Sequence, residues 1–181
     1  MKEEGIAPTQ CTYSTLLESY RRHTEIREVI NEMRREGIEP DVWCWNTVMK
    51  ASKRPQYRRK IVNEMKETGL SLDTVSWNTL MNAYKNPSHI RQIMEEMRNE
   101  GMSPDVASYT ILLKSYSDPL DRRGVIEEML AEEIKPNVAT WSTIMNSYDD
   151  PLVLREIMEE MRNTGVKPNG TLVFHVRECM L

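Results

Sequence analysis

Methionine recurs along this chain at a fixed step: Met1, Met33, Met65, Met97, Met129 and Met161 stand 32 residues apart. Gly5, Gly37, Gly69 and Gly101 keep the same step, and Gly165 rejoins it after Glu133 interrupts. Pro8, Pro40, Pro104, Pro136 and Pro168 do likewise, with Leu72 in the missing place. A period of this length, sustained without insertion, is the signature of tandem units that bury their apolar faces on their neighbours. The units run 10–41, 42–73, 74–105, 106–137 and 138–169. Residues 1–9 read as the end of a preceding helix B, and residues 170–181, "GTLVFHVRECML", as a partial or degenerate sixth helix A.

Each unit contains two helical stripes with apolar residues at i, i+3, i+4 and i+7. Helix A carries Tyr13, Leu16, Leu17 and Tyr20 in the first unit and Trp77, Leu80, Met81 and Tyr84 in the third. Helix B carries Ile26, Val29, Ile30 and Met33, and later Leu154, Ile157, Met158 and Met161. Pro55, Pro87, Pro119 and Pro151 suit the first position of helix B, where a missing N–H costs nothing. Asn86, Asp118 and Asp150 before them suit the N-cap. Glycine then closes helix B in a left-handed turn, and Pro-Asp or Pro-Asn leads into the next helix A. One such pair cannot bury its own stripe, so stacking has to, with the A helices lining a concave surface.

Composition narrows the class. The 181 residues hold Phe 1 and Met 13, so the interior is aliphatic and methionine-rich. No apolar run approaches the roughly 18 residues of a membrane span, so no membrane insertion is expected, and no targeting segment opens the chain. Cys11, Cys44 and Cys179 are odd in number and form no CxxC pair, which reads as reduced thiols. His23, His89 and His175 lie in different units without partners at a useful spacing. No HExxH, deaminase signature or Gly-rich phosphate loop is present. The expectation is a protein without catalytic residues, cofactor or metal. The carboxylate pairs Glu95-Glu96, Glu127-Glu128 and Glu159-Glu160 read as the solvated face of helix B.

The segments "VSWNTLMNAY", "EEMRNEGMSPD", "VATWSTIMNSY" and "EEMRNTGVKPN" resemble pentatricopeptide repeats, which the tetratricopeptide pattern with its Leu-Gly step does not match. The resemblance covers residues 1 to about 169, although the unit here is 32 residues against about 35 in that family. It implies an all-α fold, a right-handed α-solenoid of antiparallel helix pairs with about five repeats. It also implies single-stranded RNA as the partner, held one base per repeat, and a place in mitochondrion or chloroplast.

By that resemblance, the polar residue after the helix A aromatic and the last residue of the same repeat face the base edge. The pairs are Ser14 with Asp41, Asn46 with Asp73, Asn78 with Asp105, Thr110 with Asn137 and Ser142 with Asn169. The family's pairing tendencies give G, U, U, A, A. A bland reading is local capping, since Asp and Asn after Pro and hydroxyls in a first turn are ordinary helix-start residues. Capping accounts well for the Asp and Asn, and less well for five polar residues directly behind a core aromatic. The residues that would sandwich bases are Cys11, Trp43, Val75, Ala107 and Ala139, of which Trp43 and Val75 are the candidates for stacking; Trp43 serves equally as an exposed aromatic on a partner-facing surface.

Charge pulls the other way. The chain has net charge −4, and a strand-binding surface needs cations. Only the second repeat is basic, through Lys50, Lys53, Arg54, Arg58, Arg59, Lys60 and Lys66 against Glu64, Glu67 and Asp73. Where family members hold a phosphate-touching lysine, this chain has Arg22 and Arg54, then Asn86, Asp118 and Asp150. Two functions follow from the sequence. One is non-catalytic binding of single-stranded RNA in organellar RNA processing, stability or translation. The other is a structural scaffold in a large organellar assembly, for example a ribosome, binding proteins or folded RNA.

Overall fold

The computed structural model describes residues 9–168 and Gly170, so Asn169, all but Thr9 of the expected preceding helix B (1–9) and all but Gly170 of the expected sixth helix A (170–181) lie outside the described residues, Cys179 and His175 among them. Ten helices follow one another with no strand among the described residues. The A helices are α1 (Gln10–Ser19), α3 (Val42–Ala51), α5 (Thr74–Met81), α7 (Val106–Ser115) and α9 (Val138–Met145). The B helices are α2 (His23–Arg35), α4 (Pro55–Glu67), α6 (Pro87–Asn99), α8 (Pro119–Ala131) and α10 (Pro151–Asn163). The chain divides into two compact units, one ending at Ala83 with α1–α5 and one starting at Tyr84 with α6–α10.

Proline opens α4, α6, α8 and α10 as expected, and Asn86, Asp118 and Asp150 each accept from a backbone N–H of the first turn. At the other end of α2, Gly37 has φ 76°, and Ile38 N–H donates to the Met33 carbonyl at 2.9 Å. No side chain crowds Gly37, so glycine is needed there for its backbone alone. Glu133 takes the same left-handed turn with φ 59°, a conformation that costs an L-residue about 1–2 kcal/mol.

The first unit centres on α3, which packs against α1, α2, α4 and α5. Trp45, Val48 and Met49 are fully buried there with Ile61 and Met65 of α4 and Trp77 of α5. In the second unit α7 packs against α6, α8 and α9, around Tyr109, Leu112, Leu113 and Met129. Each such side chain contributes about 1.5–3 kcal/mol when taken fully out of water.

Three expectations need correction. Tyr20 is the C-cap of α1 and 40% exposed, so it does not belong to the apolar stripe. Tyr84 and Tyr148 lie past the ends of α5 and α9, which stop at Met81 and Met145. And the helix B stripe is not wholly apolar, because Arg58 stands in it and is only 6% exposed.

Arg58 explains how α5 ends. Its Nε–H donates to the Ser52 carbonyl at 2.6 Å, and a second guanidinium N–H donates to the Thr79 carbonyl. The last carbonyls of a helix lack intrahelical partners, and one buried guanidinium serves the C-terminal ends of α3 and α5 together. Arg122 repeats the arrangement in the second unit, donating to the Tyr116 carbonyl at 2.8 Å, the Thr143 carbonyl at 3.3 Å and the Ser147 hydroxyl. Burial pulls the Arg58 pKa down, but an arginine remains charged at any ordinary pH.

The helix B carboxylates are likewise not all solvated. Glu64 pairs with Arg27 at 2.5 Å, Glu128 with Arg91 at 2.9 Å and Glu160 with Arg123, each joining successive B helices. Arginine occupies 27, 59, 91, 123 and 155, and glutamate 32, 64, 96, 128 and 160, so the ladder is written in every repeat. Half-exposed pairs of this kind contribute about 0–1 kcal/mol each; their geometry sets the register of one repeat on the next.

Candidate nucleic-acid interface

The N-termini of the A helices carry the predicted base-facing residues. Asp41, Asp73, Asp105 and Asn137 are the N-caps of α3, α5, α7 and α9, so the capping reading holds for each. What capping leaves over is informative. Asp73 Oδ1 accepts from the Ser76 N–H at 2.7 Å, the Ser76 hydroxyl at 2.6 Å and the Asn46 side-chain amide at 3.2 Å. Its Oδ2 has no partner among the described residues, and Asp73 is exposed. Burial by itself would raise the Asp73 pKa, but the hydrogen bonds from Ser76 and Asn46 outweigh it and hold the carboxyl below the usual range.

Asn137 does the same work with an amide. Its Oδ1 accepts from the Thr140 N–H at 3.0 Å and the Thr140 hydroxyl at 3.1 Å, which leaves the Nδ2 donors facing solvent. Capping thereby assigns the amide orientation. At Asp73 the free atom is an acceptor; at Asn137 it is a donor.

The structure brings the predicted pairs together unevenly. Asn46 touches Asp73 directly but is 5% exposed, and its Oδ1 is buried without a partner among the described residues. Thr110, 8% exposed, reaches Asn137 through Thr140, whose hydroxyl lies 3.0 Å from its own. Ser14 and Ser142 are half-buried and donate back to the carbonyls of Gln10 and Val138. Asp41 Oδ2 accepts from Gln10 at 2.7 Å, so Gln10 and not Ser14 meets it. Asn78 and Asp105 belong to different units, and Asn169 lies outside the described residues.

Sequence reading passed over the third residue of each A helix: Thr12, Cys44, Ser76, Ser108 and Thr140. Each donates its backbone N–H to the N-cap side chain, and in α5, α7 and α9 its hydroxyl reaches the same atom. The signal was visible as Thr, Asp or Asn followed three residues later by a hydroxyl or thiol, at period 32. At Cys44, burial, helped by Asp41, pushes the thiol pKa up to about 12.

One residue ahead of this position, Cys11, Trp43, Val75, Ala107 and Ala139 are all exposed, Trp43 by 42% and Val75 by 49%. They stand beside the caps on the same helix ends, where a flat ligand can lie against them. Arg22 and Arg54, the predicted phosphate contacts, are exposed N-cap residues of α2 and α4, and neither side chain caps its helix. Arg58, counted with them in the sequence, is spent on carbonyls inside the first unit. No group of three or more His, Cys, Asp or Glu among the described residues is placed to hold a metal ion, and no helix there is long and apolar enough to cross a membrane.

A family model described as the pentatricopeptide repeat domain matches residues 1–23 and 60–119. Over those residues, a little less than half of its length, the chain matches the pentatricopeptide repeat family. The α-solenoid fold of that family is borne out by solved structures. The pentatricopeptide repeat protein PPR10 from maize is 23% identical with a TM-score of 0.73, covering 95% of this chain and 27% of its own. PPR10 in complex with an 18-nt psaJ RNA element gives 22% and 0.68 over the same shares. The PPR domain of Arabidopsis thaliana protein-only RNase P 1 in complex with tRNA gives 13% and 0.70, over 94% of this chain and 96% of its own. The chain thus spans little more than a quarter of PPR10. No curated protein sequence matches it.

Proposed function

We propose that this chain binds single-stranded RNA, one base per repeat, without catalysing a reaction, as part of organellar RNA processing, stability or translation in mitochondrion or chloroplast. Two similar solved proteins carry RNA, an 18-nt psaJ element in one and a tRNA in the other. The observation that carries the reading is the division of labour within the caps at Asp73 and Asn137: one atom holds the helix, and the other faces outward beside an exposed side chain.

Base chemistry then follows from which atom is left. G and U bear a protonated ring nitrogen on the Watson–Crick edge, which the free Oδ2 of Asp73 can accept; A bears an unprotonated one, which Asn137 Nδ2 can meet as a donor. The free atoms of Asp73 and Asn137 accordingly fit the U and A that the family pairing gives their repeats, and that pairing by itself gives G, U and A at Asp41, Asp105 and Asn169. Asn46 acts by fixing the Asp73 cap directly, and Thr110 acts on the Asn137 cap through Thr140. Trp43 and Val75 supply apolar surface for stacking, and Arg22 and Arg54 supply phosphate contacts.

The test is fluorescence anisotropy of the full-length protein with RNA containing GUUAA and with a scrambled version. Tighter binding of GUUAA is expected, and equal affinity would sink the sequence-specific reading. A second reading, a scaffold that binds proteins within a large organellar assembly, is favoured by the burial of Asn46 and Thr110, by alanine at 107 and 139, and by the exposed Leu120 and Leu152. It is distinguished by the absence of RNA crosslinks to Trp43 in the native complex.

A further inference from the structure

A groove of about 480 Å³ lies in the first unit, lined by Arg27, Arg34, Lys60, Asn63, Glu64, Glu67 and Thr68 of α2 and α4 and the turn after α4. It is built from B helices and the turn after α4, and none of its lining residues is an A-helix cap. Arg27 in it is committed to Glu64 at 2.5 Å. Arg34 is not committed to any carboxylate among the described residues. Its guanidinium carbon sits 5.0 Å from the centroid of the buried Trp45 ring, a cation–π contact that positions the group without accepting a hydrogen bond.

The second unit shows what this register ordinarily contains. Arg98, 64 residues on from Arg34, donates to Glu132 at 2.7 Å and to the Tyr109 hydroxyl at 3.1 Å, with Glu95 at 3.8 Å. All three partners are missing at the earlier site. Thr68 stands for Glu132, Trp45 for Tyr109 and Asn31 for Glu95. Thr68 turns its hydroxyl to the carbonyls of Glu64 and Met65, so it does not serve Arg34. A half-buried guanidinium therefore presents its N–H fork to a groove at the place where, two repeats later, a carboxylate sits.

We infer that this groove is a docking site for a carboxylate side chain on an acidic segment of a partner protein, received by Arg34 with Lys60 beside it. Charge selects this occupant over a nucleic-acid strand. With Arg27 and Glu64 paired and Glu67 set against one of the two remaining cations, the lining holds one net positive charge. One carboxylate neutralises it in a bidentate pair. A polyanionic strand needs a row of cations, and Glu67 and Glu64 on the wall oppose it.

The test follows the Arg Nε–Hε resonances of the whole ¹⁵N-labelled chain at low salt. Four probes are titrated: a blocked Gly-Glu-Glu-Gly peptide, its Gly-Gln-Gln-Gly counterpart, inorganic phosphate and oligouridylate. The glutamate peptide should shift the Arg34 resonance saturably, and the glutamine peptide should not. Thr68→Glu supplies an internal carboxylate. It should move the Arg34 resonance toward its peptide-bound position and weaken peptide binding roughly tenfold or more, equivalent to about 1.4 kcal/mol. Arg34→Gln, read through the Asn63 side-chain amide, should abolish the response and guards against a misfolded Thr68→Glu. The inference is overturned by no saturable shift with the glutamate peptide, by an equal response to inorganic phosphate, or by tighter binding of oligouridylate than of peptide. It is independent of the RNA reading, since none of its residues belongs to the base-facing set.

Discussion

In the unit that ends at Ala83, the B helices α2 and α4 begin at Arg22 and Arg54, exposed and without a side-chain cap. In the unit that begins at Tyr84, α6, α8 and α10 begin at Asn86, Asp118 and Asp150, whose side chains close the first turn. One repeat thus yields two kinds of helix start. The acidic and amide caps stabilise their own helices; the arginines forgo that stabilisation and leave cations beside uncapped N–H groups. The same division appears inside: Arg58 is buried where Arg122 is only half-buried, and Arg34 lacks the partners that Arg98 has.

The largest effect should come from the buried clamps. Arg58→Ala strands the Ser52 and Thr79 carbonyls and should cost about 3 kcal/mol, against about half that for the more exposed Arg122→Ala. Denaturant unfolding with hydrogen exchange resolved by unit measures both, and an equal or reversed order would break the comparison.

Next in size is RNA binding. Arg22→Ala with Arg54→Ala should weaken affinity by about tenfold and lower the slope of log K against log salt by about one per arginine. Asp118→Ala with Asp150→Ala should instead destabilise α8 and α10 by about 1 kcal/mol each and leave the salt slope unchanged. Titrations at several salt concentrations separate the two.

One cap, Asp73, gives a pH dependence at α5. Asp73 is depressed below the ordinary carboxylate pKa, so it contributes stability that is complete above the unfolded-state value and is lost as pH falls through the folded one. Asn137, in the same register, does not titrate. Amide exchange in α5 should accelerate as pH falls below about 4 relative to the intrinsic rate, exchange in α9 should not, and Asp73→Asn should remove the difference. Equal acid sensitivity of α5 and α9 would rule this out.

A smaller gain is expected at Glu133, where a left-handed turn lacks glycine. Glu133→Gly should stabilise the second unit by about 1 kcal/mol, seen as a rise in Tm, because Gly37 and its equivalents already hold this turn with open space around them. The least perturbing test is thiol labelling. Exposed Cys11 should react readily at pH 8, while Cys44, buried and with its pKa raised to about 12, should react only as the first unit opens.

Much of the fold was legible because its signals are local and repeat. Apolar spacing placed both helices of each pair, and Pro, Asn, Asp and Gly marked their ends, since caps and turns depend on residues within one helical turn. Reading failed where a polar side chain serves a distant backbone. Arg58 looked like part of a basic surface, although its partners lie 6 and 21 residues away. Tyr84 sat in phase with Trp77, yet α5 had already ended at Met81. Among the candidate site residues, the Asp and Asn positions were readable from sequence; that Thr140 stands between Thr110 and Asn137 was not.

The sequence by itself therefore determined the repeat, the helix pairs, their caps and the identity of the residue at each A-helix cap, because all of these follow from periodicity and short-range hydrogen bonding. Only the tertiary structure decided which atom of Asp73 or Asn137 remains free, which arginines face solvent and which lie inside, and that Arg34 opens onto a groove. Those outcomes depend on which neighbour supplies the competing donor or acceptor, and Asn46, Thr79 and Glu64 do so for Asp73, Arg58 and Arg27 from 27, 21 and 37 residues away.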